Sequence, residues 1–393
     1  MRIVRWPGAA VLLVASLLWQ AGGPAVQGQA AAFEVWIIDQ ADAARGGARL
    51  YIFDGGRLAA GQPAAPEAVN LDAAAAGVGD GPGVRPHMLA FDATYRYAVI
   101  SNVASGHVYV MRAADRKIIA SIDVGEQAHH AEVSPDGRFI IAANQNGKRL
   151  ARIAADFAAE RFTYNRADDL NLGALQDAAH PDNAPICPVL AGNRAYVTLR
   201  GGGLYVVGYT TTPMRVLQSY GVEQIRPAGC GGVVTAGKVY INSGTGVSSH
   251  LYVFDAATDG LRKSLSLSWT GSDGHGMVLV GGGRYLWMGN RADGNIAVIS
   301  TAVDALAGFI AGVGAAPDIM GAAPDGRTVF VAMRGPNNLT GGPPAKGDRP
   351  GLLVLQVLDD GRNARRVTFV PIGDQTSGSA NDTHVVAVRP LGR

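Results

Sequence analysis

Four of the eight histidines in this chain stand just before short strand-like runs: His87 before MLAF, His130 before AEV, His275 before GMVLV and His384 before VVAV. Cys187, Cys230 and Asp318 open similar runs between them. Successive members of this set lie 43 to 66 residues apart, and four of the six steps fall between 43 and 45. Imidazole is the commonest transition-metal ligand at neutral pH, and together with carboxylate or thiolate it suits zinc or copper. If each repeat delivers one such position to a common centre, His87, His130, His275, Asp318 and His384 would line a metal site. The competing reading has the same histidines hydrogen bonding a neighbouring backbone and binding nothing.

Asp273 and Asp382 each lie two residues before a ring histidine. On an extended strand they would share its face and orient the imidazole from behind, although an aspartate there also suits a turn cap. His129 precedes His130, alternation sends only one of them inward, and the spacing selects His130. His107 and His250 open third strands and read as packing or surface residues, and His180 falls in a polar insertion and reads as a solvated loop residue. Cys187 and Cys230 sit at one level of adjacent repeats. An oxidising compartment favours a disulfide between them, with metal ligation or burial as apolar residues as the alternatives.

The elements that must position these side chains are strands. PHMLAFDATYRYAVISNVASGHVYVMRAADRKIIASIDVG, from Pro86, parses as four short strands between Gly, Asn, Asp and Ser turns. The next unit repeats it from His129, with Pro135-Asp136-Gly137 as a tight turn. Five further units follow, and the last is a single strand, THVVAVRP. Its partners are expected at the other end of the chain, in Phe33 to Ile38, Arg49 to Phe53 and Ala68 to Leu71. A period of 40 to 50 residues predicts an all-β, seven-bladed β-propeller, the ring closed by pairing of the C-terminal strand with N-terminal strands. A two-sheet sandwich would not keep the period. The two long steps contain the insertion 165–183 and the loops 335–351 and 373–382, expected to lie on the surface and over one face. The stretch 73–86 reads as a further loop.

Units such as GRYLWMGNRADGNIAVIS and YRYAVISNVASGHVYVM resemble the YVTN-repeat family of propellers, which is akin to the quinoprotein amine dehydrogenase type. The resemblance covers nearly the whole mature chain and implies the fold more than a function, because such propellers host binding proteins, redox subunits and hydrolases. Thr198-Leu199-Arg200 and Ala332-Met333-Arg334 lack the family's Asn.

Residues 1–32 read as a secretory signal peptide, with Arg2 and Arg5 ahead of an apolar run from Gly8 to Trp19 that is too short to span a bilayer. Cleavage is expected near Ala30 or Ala32, leaving 33–393 as one periplasmic or secreted propeller domain without a membrane span. A net charge of +2 with scattered basic residues argues against nucleic acid as a partner. No G-x-S-x-G elbow, P-loop or haem-attachment motif occurs, and no catalytic residue is assigned. The expected protein is a monomeric, non-catalytic binding protein for a metal ion or small ligand. A copper oxidoreductase and a scaffold that docks a protein partner on one face are the rivals.

Overall fold

A computed structural model describes residues 32–41, 47–81, 84–235, 237–245, 248–267 and 273–392. The body of the expected leader, 1–31, lies outside the described residues. The chain forms seven sheets arranged as the blades of a propeller. The first blade comprises Pro86–Phe91, Tyr97–Asn102, His107–Arg112 and Lys117–Asp123, paired antiparallel from the axis outward. Blades two to six begin at the inner strands Ala128–Val133, Pro185–Ala191, Gly232–Thr235, Gly274–Val280 and Pro317–Ala322. The closing blade takes its inner strand from Thr383–Pro390 and its others from Phe33–Asp39, Arg49–Asp54 and Glu67–Asn70. The expected splice of the two tails is present, with Trp36 opposite Ala387 and Asp39 opposite Thr383.

Side chains of a strand point alternately to its two faces, and in a propeller both faces meet a neighbouring blade. In Tyr97–Asn102, Ala98 and Ile100 pack toward Trp36 and Leu50 of the closing blade, whereas Tyr97 and Val99 pack toward Ile140 and Ala142 of the second. Middle strands such as Tyr97–Asn102 are therefore buried on both faces and do not alternate buried and exposed residues along their length. That alternation survives in outermost strands such as Leu261–Ser266, which face solvent on one side. Each blade boundary carries its own buried apolar cluster, seven in all. Each fully buried Leu, Ile, Val or Phe contributes about 1.5–3 kcal/mol, so stability is spread around the ring.

Two expectations fail locally. Part of the stretch read as a loop, 73–86, belongs to a helix, Leu71–Ala76, because a run of four alanines has the highest helix propensity and Asn70 caps it through a bond from the Ala73 amide. His180 in the insertion is buried and not solvated: its ring stacks on Tyr205 at 4.6 Å, bonds the Ser219 hydroxyl through Nε2 at 2.9 Å and meets Asp177 through Nδ1 at 2.8 Å. Among the described residues no helix is long and apolar enough to cross a membrane.

Candidate functional site

An irregularity recurs where the inner strands begin. In the first blade Pro86 faces Asn102 and Met88 faces Ser101, which leaves His87 as an extra residue in a bulge. Register shifts at the same point leave His129 between Ala128 and His130, place Ile186 between Pro185 and Pro188, His275 between Gly274 and Met277, and Asp318 between Pro317 and Met320, and put His384 beside Thr383. Arg85, Gln127, Ala228, Asp273 and Ala316, each two residues ahead of the bulged position, adopt left-handed backbone with φ between 43° and 67°. Left-handed backbone costs a non-glycine residue about 1–2 kcal/mol, and its repetition in five blades marks it as the device that swings the chain onto the axis. With Cys230 placed by left-handed Ala228 two residues before it, since the fourth blade shows no register shift, the bulge column reads His87, His129, Ile186, Cys230, His275, Asp318 and His384.

Five of these seven are the residues expected at this level. The column takes His129 and Ile186 where spacing selected His130 and Cys187, because a bulge inserts one residue and breaks strict alternation. His130 falls outside the donor groups and pairs with Glu132, with Nε2 3.1 Å from its carboxylate, while its buried Nδ1 has no partner among the described residues. Cys187 and Cys230 are joined in a disulfide, with Cα atoms 5.2 Å apart, as expected.

His275, Asp318 and His384 converge, each offering a donor atom within 4.8 Å of the others. All three are at most 5% exposed. His87 stacks on His384 with centroids 4.0 Å apart, and His275 meets His384 edge-on at 5.6 Å. The two inner strands that carry His275 and Asp318 approach closely because of Gly276, where a Cβ would stand 2.4 Å from the Asp318 carbonyl oxygen.

Hydrogen bonds fix which ring nitrogens are free. His384 Nδ1 lies 2.8 Å from the His87 carbonyl oxygen, which only accepts, so Nδ1 carries the proton and Nε2 keeps its lone pair. Gln40 donates through Nε2 to Asp382 at 3.1 Å, leaving its Oε1 to accept from His87 Nδ1 at 2.7 Å. His87 Nε2 is then buried with no hydrogen-bond partner among the described residues. His275 Nδ1 and Asp318 Oδ1 form an ion-pair contact with one another, and neither has a further hydrogen-bond partner among the described residues. His384 Nε2 lies 3.8 Å from Asp318 Oδ2.

The two flanking aspartates act differently from expectation. Asp273 grips Arg291 at 2.7 and 3.0 Å, and Asp382 grips Arg334 through two bonds of 2.6 Å. Both guanidiniums turn toward Asp318 Oδ2, at 3.6 Å from Arg291 and 2.8 Å from Arg334. The carboxylates orient arginines rather than imidazoles, and only Asp382 reaches a histidine, His87, through Gln40. The loop 335–351 covers this side, bonding Asp382 through the Leu339 amide at 2.7 Å and Arg334 through the Thr340 carbonyl at 3.1 Å.

Gln40, Arg291 and Arg334 were missed by the sequence reading. They occupy one structural position, immediately after a second strand, where the amide bonds the carbonyl of the residue two before the bulge: Gln40 to Asp382, Arg291 to Asp273 and Arg334 to Ala316. Aligning second strands as well as first would have exposed them, at IIDQ, MGNR and VAMR.

Burial pushes the pKa of His87 well below the ordinary imidazole value, helped by neighbouring His384 and His129. Burial also holds His384 well below that value and lowers His275, where Arg291 adds to the effect, with Asp318 opposing it in both. Desolvation would raise Asp318, but His275, His384 and Arg291 override it and hold the carboxyl well below the carboxylate range. The imidazoles are therefore neutral near pH 7. Asp273, Asp318 and Asp382 then face two guanidiniums, Arg291 and Arg334, all at most 6% exposed, and one negative charge is left over.

A cavity of about 330 Å³ continues along the axis beside the cluster, walled by all seven inner strands through residues such as Met88, His130, Cys187, Met277, Ile319 and Val385.

No protein-family model matches the chain, and no curated protein matches it. Solved structures do. A protein from Lactobacillus plantarum superposes with a TM-score of 0.63 at 12% identity, over 91% of this chain and 99% of that one. The Myceliophteria thermophila Cps50 (Swd1) β-propeller domain gives 0.52 at 13% identity, over 76% and 88%. The Kuenenia stuttgartiensis hydrazine synthase gives 0.53 at 16% identity, over 74% and 88%. At these identities the likeness extends to the fold alone.

Proposed function

We propose that the chain is an exported, YVTN-type β-propeller that holds a transition-metal ion, zinc or copper, through His275, Asp318, His384 and His87, and does not turn over a substrate. The observation that carries this reading is the buried triad His275, Asp318 and His384, whose donor atoms lie within 4.8 Å of one another, together with the unpartnered His87 Nε2 on the ring stacked against His384. Buried polar atoms are almost always satisfied, so an unpartnered imidazole nitrogen beside three clustered donor residues fits an ion. Three nitrogens and a carboxylate oxygen suit zinc or copper. Proton placement agrees, since ligating imidazoles commonly donate their second nitrogen to a carbonyl or amide oxygen, as His384 and His87 do. A bound ion would supply the positive charge that three carboxylates and two guanidiniums leave wanting. The closure of the site, with every donor at most 5% exposed beneath the loop 335–351, favours holding over turnover.

Metal analysis of protein purified without a histidine tag, followed by zinc and copper titration against a competing chelator, tests the reading. One equivalent of either metal is expected, and His275→Ala or His384→Ala should each weaken binding by about 100-fold or more, roughly 2.7 kcal/mol. Unchanged affinity in both variants, or no uptake after reconstitution, would overturn it in favour of a protein-docking scaffold.

A further inference from the structure

The other side of the bulge column carries a second group of donors. His129, Cys187 and Cys230 offer a nitrogen and two sulfurs all within 4.8 Å of one another. His129 Nδ1 lies 4.0 Å from Cys187 Sγ. The sulfurs come from adjacent blades, Cys187 within the register shift between Pro185 and Pro188 and Cys230 just ahead of the strand Gly232–Thr235. Both face the axial cavity, which gives a small reagent a route to them although they are at most 4% exposed. His87 lies between the two groups, edge-on to His129 at 4.4 Å and stacked on His384 at 4.0 Å.

As a disulfide the two sulfurs offer no thiolate. We propose that the Cys187–Cys230 bond gates a second metal site, closed when oxidised and opened when a dithiol reduces it. In that step the sulfur–sulfur bond breaks, the dithiol gives up two electrons and two protons and becomes a disulfide, and the protein gains two thiols. Metal binding then displaces the two thiol protons, and the ion is held by two thiolates and His129. Thiolate with imidazole selects zinc or cuprous copper, softer than the carboxylate-bearing first site. This site uses a ligand set separate from His275, Asp318 and His384, and either can fail without the other.

Cobalt(II) reports thiolate ligation through a sulfur-to-metal charge-transfer band, so the full chain is titrated with cobalt before and after reduction by a phosphine, which is itself a weak ligand. Reduced protein should take up one equivalent more than oxidised protein and develop the band. Cys187→Ser with Cys230→Ser should lose both the extra equivalent and the band. His129→Ala, which keeps the bridge and so the oxidised fold, should weaken the second equivalent by at least tenfold after reduction. His275→Ala with His384→Ala should keep the band, which separates this site from the first. Equal stoichiometry in the two redox states, a reduced protein without the band, or a band unaffected by His129→Ala would overturn the proposal.

Discussion

The two arcs of the bulge column solve the same packing problem with opposite chemistry. Along one arc His275, Asp318, His384 and His87 are held by a charged network in which each contact depends on its neighbour's protonation. Along the other, Ile186, Cys187 and Cys230 form a small apolar cluster locked by a covalent bond. Inner strands on both sides carry the bulge, the fourth blade excepted, and most share the left-handed residue ahead of it, so backbone geometry does not distinguish the arcs. The fold supplies seven equivalent positions near an axis, and side-chain identity alone decides whether a position becomes a staple or a polar site.

The comparison is broken most forcefully at Arg334. Replacing it by Met strands Asp318 and Asp382 without their principal partner, and breaking a buried ion pair from one side costs about 3–5 kcal/mol. Removing the bridge with Cys187→Ala and Cys230→Ala should cost about 2–4 kcal/mol through the freed chain entropy of the unfolded state. Denaturant melts of metal-free protein measure both, and a larger loss at the bridge would show the covalent arc to be the stronger.

Acid should then separate the arcs. The native imidazoles of His87, His275 and His384 resist protonation while the unfolded chain takes up protons below about pH 6.5. The unfolded state therefore binds more protons, and stability falls as pH drops, beginning near 6.5 and continuing toward the value of about 3 to which burial pushes His129. The slope approaches about 1.4 kcal/mol per pH unit for each such histidine. Melts between pH 8 and 4 in the presence of a chelator should show this decline in the bridge variant as well, and a flat profile would contradict neutral burial.

The finest distinction lies between two neighbours of the cluster. Gln40→Leu removes the acceptor that fixes the His87 proton and should weaken zinc binding about tenfold, the scale of losing an outer-sphere partner. His130→Ala should leave zinc affinity unchanged, because its imidazole serves Glu132. A loss for His130→Ala as large as for Gln40→Leu would return that residue to the site.

The architecture was readable because a 43-residue rhythm and two complementary tails leave few closed arrangements. Asp318, His275, His384, His87 and Cys230 were readable for the same reason. His129 was not, because two adjacent histidines stand at the one point where an inserted residue suspends alternation. Arg291, Arg334 and Gln40 were hidden more deeply: their meaning comes from partners in other strands, and Gln40 and Asp382 are 342 residues apart in the chain. A charged residue at the end of a strand has no local feature to separate it from a solvated one.

The tail splice has a consequence for biogenesis. Phe33–Asp39 is synthesised about 350 residues ahead of its inner partner, Thr383–Pro390. Until that partner arrives, one edge of the nascent sheet stands open to wrong pairing, and such long-delayed contacts slow folding. The same final segment delivers Asp382 and His384, so a prematurely terminated chain lacks both its ring closure and two members of the cluster.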